Sequence, residues 1–304
     1  MTDLRQRTLV ALALERTPGF NYSCNFLGVR FPRKEGACVE VQMDHAEYCE
    51  DESGQVDITA ASLLADVAMG SVVRANLSPA QRLATVSLHL QFTGIARKGP
   101  LTATGEFDNF VAGMDSRQGL CRCTVNTPGG PVIRGSGAFM VMEPPAGRTM
   151  HPVRDAIHAG VAPLDEVTLT PDEAGILARA ERACSTAGGA CGFLQRFWGM
   201  SPERTAEGAH CRVENGAHLG NRVGHMQGGL QTGLAIVTAE AALPLNWTVS
   251  SISAWFLHPG QGKHIVATSR LERRGLNTAV VRTALVSDQG QRVLEAMTTH
   301  IRVC

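Results

Sequence analysis

The chain has 304 residues, 44% hydrophobic and 18% charged, the make-up of a globular protein long enough for about two domains, each with its own core. Lysine plus arginine and aspartate plus glutamate both number 28, so no net field recruits nucleic acid or an anionic membrane; the expected partner is a small molecule. No apolar run nears the roughly 18 residues that span a bilayer, and nine irregularly spaced cysteines, several in apolar stretches as at Cys24, Cys38 and Cys211, suit buried thiols in a reducing cytoplasm.

The opening MTDLRQRTLVALALERTPG has charges on both sides of a short apolar stretch and no small-residue cleavage site, which predicts an amphipathic helix over about 3–16 rather than a signal peptide. Strand-like FNYSCNFLGVRF and GACVEVQM follow, then a polar turn, EDESGQVD, and the apolar helical segment ITAASLLADVAMGSVVRANL. Strands are expected in RLATVSLHLQFTGIARKGPLTATGEF and in GLCRCTVNTPGGPVIRGSGAFMVME, the latter turning at Pro128-Gly129-Gly130. Cys121 and Cys123 fall on one such strand. Their side chains are expected on opposite faces, so no metal site is read there.

A connector with four prolines, EPPAGRTMHPVRDAIHAGVAPLDEV, separates this half from the next. Thr170, Pro171 and Glu173 then form the capping-box pattern that starts a helix over about 171–187. The elements return in the same order: CGFLQRFWGM, GAHCRVE, the turn GNRVGHMQ, the apolar GGLQTGLAIVTAEAAL, and strands in NWTVSSISAWFLHPGQGKHIVATSRLERRG and NTAVVRTALVSDQGQRVLEAMTTHIRV, with a turn at Asp288-Gln289-Gly290. Thr85-Val86 aligns with Thr248-Val249, and Phe92 with Phe256. The fold class is therefore α+β, as two tandem domains over 1–143 and 171–304 joined by a linker over 144–170. Both apolar helices need cover on nearly every side, which an antiparallel sheet curled around them supplies, as do other α+β arrangements that periodicity does not distinguish from it.

The residues at the head of each long helix carry the functional reading. In the second half Asn221, Gly224, Gln227, Gly228 and Gly229 are spaced as Asn-x-x-Gly-x-x-Gln-Gly-Gly, and Ile236 lies nine residues past the Gln. In the first half the same places hold Asp51, Gly54, Asp57, Ile58 and Thr59, and Asp66 lies nine residues past Asp57. This pattern resembles the hotdog-fold acyl-CoA thioesterases of the phenylacetate-degradation type, whose motif is Asn-x-x-Gly-x-x-His-Gly-Gly followed by an Asp nine residues after the His. Here Gln replaces the His, and each half has lost what the other kept.

Nine helical residues span about 13 Å, so a mid-helix Asp does not serve a carbonyl held at the start of its own helix. The resemblance implies two hotdog domains paired about a two-fold axis as an intramolecular pseudo-dimer, with Asp66 joining Asn221, Gln227, Gly228 and Gly229 in one composite site. The second site, around Asp51, Asp57, Ile58, Thr59 and Ile236, is expected to be inactive. The chemistry implied is thioester hydrolysis: helix-start amides stabilise the carbonyl oxygen, Asp66 acts as general base or nucleophile, and Asn221 and Gln227 orient water or thioester.

No cofactor and no metal are expected, coenzyme A being part of an acyl-CoA substrate. Its phosphates would find cations in Arg97, Lys98, Arg222 and Lys263, all in turns, while Thr85 and Ser87 would contact substrate from the strand beside the helix. His225 falls in the loop before the Gln, as a surface residue, and Glu240, one turn beyond Ile236, is an alternative acid. The competing reading is a non-catalytic acyl-CoA or acyl-ligand binder; a hydratase would need a His-Asp or His-Glu dyad that neither half has. No membrane contact is expected, and two chains could pair sheet edge to sheet edge as a homodimer.

Overall fold

The structure, a computed structural model, describes residues 2–17, 19, 21–78, 81–112, 117–143, 151, 154–185 and 192–303. In the first half α1 (Thr2–Glu15), α2 (Tyr22–Phe26), β1 (Arg30–Glu35) and β2 (Cys38–Gln42) lead to the long α3 (Ile58–Arg74) and to β3 (Arg82–Phe92), β4 (Thr102–Ala112), β5 (Arg117–Thr127) and β6 (Gly130–Met142). The second half repeats the series as α4 (Pro171–Ser185), α5 (Phe193–Trp198), β7 (Glu203–Arg204), β8 (Gly208–Glu214), α6 (Gly228–Ala241), β9 (Trp247–Phe256), β10 (His264–Arg274), β11 (Thr278–Ser287) and β12 (Arg292–Arg302).

All twelve strands form one antiparallel sheet in the order β1-β2-β4-β5-β6-β3-β9-β12-β11-β10-β8-β7, which reads the same from either end once the halves are equated. Its centre is the β3–β9 pair, where His89 lies opposite Ser253. The α3 and α6 helices pack against each other inside the curl, α3 against β2, β4, β5 and β6, and α6 against β8 to β12. This is a tandem hotdog fold. Among the described residues no helix is long and apolar enough to cross a membrane. At one sheet edge β1 carries Arg30, Pro32, Arg33 and Lys34, and at the other β7 has two residues, both devices that discourage edge-to-edge pairing.

The two helices approach closely because α6 offers glycine at the crossing. A Cβ on Gly229 would lie 2.4 Å from Leu63 Cα, and one on Gly233 would lie 2.7 Å from Thr59 Cα. Ordinary side chains there would hold the helices apart. The α4 helix starts at Pro171 with the reciprocal cap in place: Thr170 N–H donates to Glu173, and Glu173 N–H to the Thr170 hydroxyl, 3.3 Å. It runs to Ser185; residues 186 and 187 of the expected helix lie outside the described residues.

Several expectations are corrected. The aromatic segments before β1 and β7 begin with short helices, not strands: Tyr22 and Phe26, like Phe193 and Phe197, recur at helical spacing and stack across the halves, with Phe26 and Phe197 centroids 5.4 Å apart. Cys121 and Cys123 share a face, since side chains two apart on a strand point the same way, and both are buried in the core. A β-bulge at Val86 has its counterpart at Ser250, so Thr85 corresponds to Val249 rather than Thr248. Of the connector, residues 144–150, 152 and 153 lie outside the described residues. The rest is tied down, Ala156 N–H donating to Val29 and Asp155 accepting from Phe31 N–H.

Candidate active site

The α6 helix begins at Gln227. Its side-chain oxygen accepts from Leu230 N–H at 3.0 Å, the usual N-cap bond, and this fixes its amide nitrogen toward the neighbouring helix. That nitrogen donates to Asp66 Oδ2 at 2.7 Å, and Gly229 N–H donates to the same oxygen at 3.0 Å. The Thr85 hydroxyl, from β3, donates to Asp66 Oδ1 at 3.3 Å. An acid of the first half is thus bound by the helix start of the second, where the two helices cross.

Asp66 is 6% exposed. Burial raises its pKa to about 6, against the opposing pull of the Gly229 amide, the Thr85 hydroxyl and the Gln227 amide. The carboxylate contacts the helix start directly, leaving no space for a water between them. A Cβ on Gly228 would sit 3.1 Å from both Asp66 Oδ2 and Thr85 Oγ1, so the missing side chain keeps the approach to the acid open. No acceptor for the Gly228 N–H is found among the described residues.

A cavity of about 490 Å³ opens onto this group. Asn221 lines it, but its side-chain oxygen is committed to the loop, accepting from Val223 and His225 N–H at 3.0 and 3.1 Å, as Asp51 does for Ser53 and Gln55 in the first half. Arg222 also lines it. His225, expected at the surface, is a half-buried wall residue whose Nε2 lies 2.6 Å from Gln261 Nε2.

The other expected contacts lie elsewhere. The bulge at Val86 interrupts alternation, so Thr85 faces Asp66 while Ser87 turns to the outer face of the sheet beside His89. Arg97 is held 3.2 Å from Asp51 and donates to the Val56 carbonyl, bracing the opposite loop. Lys98 and Lys263 are exposed and do not border the cavity. At the symmetry-related position Ile236 stands where Asp66 would be. Glu240 accepts from Val249 N–H, its pKa raised by burial, and interacts with Arg97, Asp51 and Asp57.

Sequence reasoning passed over Arg74, Gln231, Asn25, Arg82 and Arg154, all in the cavity wall. Arg74 carried a signal: with Gly70 it follows Asp66 at intervals of four, on one helical face. Asn25 and Arg154 come from remote segments and carried none. Among the described residues no group of three or more His, Cys, Asp or Glu could hold a metal ion.

Comparison with solved structures places the chain among hotdog-fold proteins. It is similar to acyl-CoA thioesterase II of Mycobacterium marinum (12% identity, 90% of this chain and 95% of that one, TM-score 0.50). It is similar to a 12:0-ACP thioesterase of Umbellularia californica (10%, 86% and 93%, TM-score 0.50) and to a conserved hot dog protein of Alicyclobacillus acidocaldarius (11%, 93% and 97%, TM-score 0.51). Identities this low show the fold alone. No protein-family model and no curated protein sequence matches the chain.

Proposed function

We propose that the chain is an acyl-CoA thioesterase of the phenylacetate-degradation type, two hotdog units divided at 144–170 with one working site between them. The observation that carries this reading is Asp66 bonded to Gln227 and Gly229 at the wall of the cavity. Ionised Asp66 either takes a proton from a water on its cavity side or attacks the thioester carbon itself. The developing oxyanion is stabilised by the Gly228 N–H and the positive end of α6, because the Gly229 amide is already held by the carboxylate. Gln227 cannot take up a proton as a His could; its amide N–H orients the acid. Asn221 has only its amide nitrogen left for substrate.

The test is a panel of acyl-CoAs assayed for free thiol. Turnover of at least one member is expected, and tight binding of all with release of none would favour a non-catalytic binder.

Both routes need the charged form of Asp66, so the pH profile carries a sign. Burial raises its pKa, so kcat/KM is flat above about pH 6 and falls tenfold per unit below it. A profile unchanged between about pH 4.5 and pH 8 would remove Asp66 from the chemistry.

A further inference from the structure

The cavity is more positive than hydrolysis requires. Arg74, Arg82, Arg154 and Arg222 line it, and Asp66 is the one carboxylate among its described lining residues. Arg74 and Arg222 are both half-buried. Arg74 Nη1 donates to the Gln81 carbonyl at 3.0 Å and Arg222 Nη1 to the His151 carbonyl, and among the described residues these backbone oxygens alone hold them. Burial and then the Arg222 charge push Arg74 down to about 10, and burial lowers Arg222; among the described residues no carboxylate supports either. Two neighbouring guanidiniums without a counter-ion cost free energy that a bound anion would recover. Asn25 and Gln231 also border the cavity, and their side-chain oxygens are buried without hydrogen-bond partners among the described residues.

Arg74 lies eight residues beyond Asp66, about 12 Å along α3. Between them Gly70 adds no side chain, and the Phe139 ring faces it 3.4 Å from where a Cβ would be. Asp66, Gly70 and Arg74 share one face of α3 along the cavity wall, so a linear acyl chain that starts with its thioester at Asp66 and follows this wall past the Phe139 ring ends at Arg74. We propose that Arg74 and Arg222 form a specificity subsite for a carboxylate at the far end of the acyl chain, so that the preferred substrates are thioesters of dicarboxylic acids. For the word substrate this rests on the thioesterase reading; for binding it does not. The extended pantetheine arm of coenzyme A is longer than the Asp66–Arg74 separation, which leaves its phosphates to other cations such as the exposed Arg154.

The test uses ligands that cannot be hydrolysed: a coenzyme A thioether ending in a carboxylate and its methyl-ended isostere, compared by calorimetry on the whole chain. The carboxylated ligand should bind at least about tenfold tighter. That ratio should fall to about one in Arg74→Met and in Arg222→Met, while Arg74→Lys retains part of it. Should Arg74→Met fail to fold, Arg222→Met, on a loop, carries the test. Equal affinities in the unaltered protein would overturn the subsite. So would a loss shared by both ligands that disappears with pantetheine thioethers lacking the nucleotide, which would assign the arginines to phosphate. A clear preference in a protein that releases no thiol would end the thioesterase reading and leave the subsite standing; turnover without preference would do the reverse.

Discussion

Asp66→Asn is expected to lower kcat/KM for the best acyl-CoA by roughly a thousandfold, the range for loss of a positioned base, while leaving the fold intact. The substitution preserves shape and hydrogen bonding. Its side-chain oxygen keeps the bonds from Gly229 and Gln227, and its amide nitrogen donates to the Thr85 hydroxyl, which can accept as well as donate. Stability should move the other way from activity. The folded-state pKa is raised, so as pH climbs the unfolded chain ionises first, near 3.8, and the folded chain only near about 6. Ionised Asp66 therefore weighs against the fold above about pH 6, and this contribution vanishes below about pH 4. The gap corresponds to about 3 kcal/mol in favour of Asn, opening between those limits. Urea titrations of both proteins at pH 4 and pH 7, beside thiol-release kinetics, check the two halves of the statement. Activity within tenfold of the unaltered protein would leave the acid a structural role only.

Much of this arrangement was legible because two local signals agreed. The repeated order of elements required two equivalent units, and the split motif, with an acid at residue 66 and glycines at 228 and 229, placed complementary residues in different units. Helix periodicity then located Asp66 to within a turn. What it does not give is distance. Spacing along α3 says nothing about whether the carboxylate stands off from the α6 start or touches it, and it touches, at 3.0 Å from the Gly229 nitrogen. The failures follow the same division. Tyr22 and Phe26 fit an apolar strand as readily as a helix until their stacking on Phe197 is seen, because that contact joins residues far apart in sequence. Ser87 was misplaced by a one-residue bulge, a feature of strand pairing and not of the strand. Arg97 is a turn residue by sequence and a partner of Asp51, 46 positions away, by tertiary structure.

Gly229→Ala is expected to cost about 3 kcal/mol or more, although alanine is ordinarily the better helix former by about 1 kcal/mol. The sign is decided by what the added methyl meets. Its Cβ would lie 2.4 Å from Leu63 Cα, 2.9 Å from Leu63 N and 2.8 Å from the Ser62 carbonyl oxygen, all backbone atoms of a buried helix that no rotamer change can move aside. Relief requires α3 and α6 to separate, which opens the contact that continues at Gly233 and Thr59 and draws the α6 start away from Asp66. Stability and activity should therefore fall together. Gly228→Ala, one residue earlier, should separate them. There the methyl meets side-chain oxygens at 3.1 Å, which can give by a few tenths of an ångström, so the protein folds, but the group then covers the approach to the carboxylate. Hydrolysis should fall about a hundredfold with the urea midpoint nearly unchanged. Equal behaviour of the two variants, in either direction, would mean that the glycine pair serves one purpose. The geometry assigns it two: at 229 the backbones touch, and at 228 the space belongs to whatever Asp66 acts on.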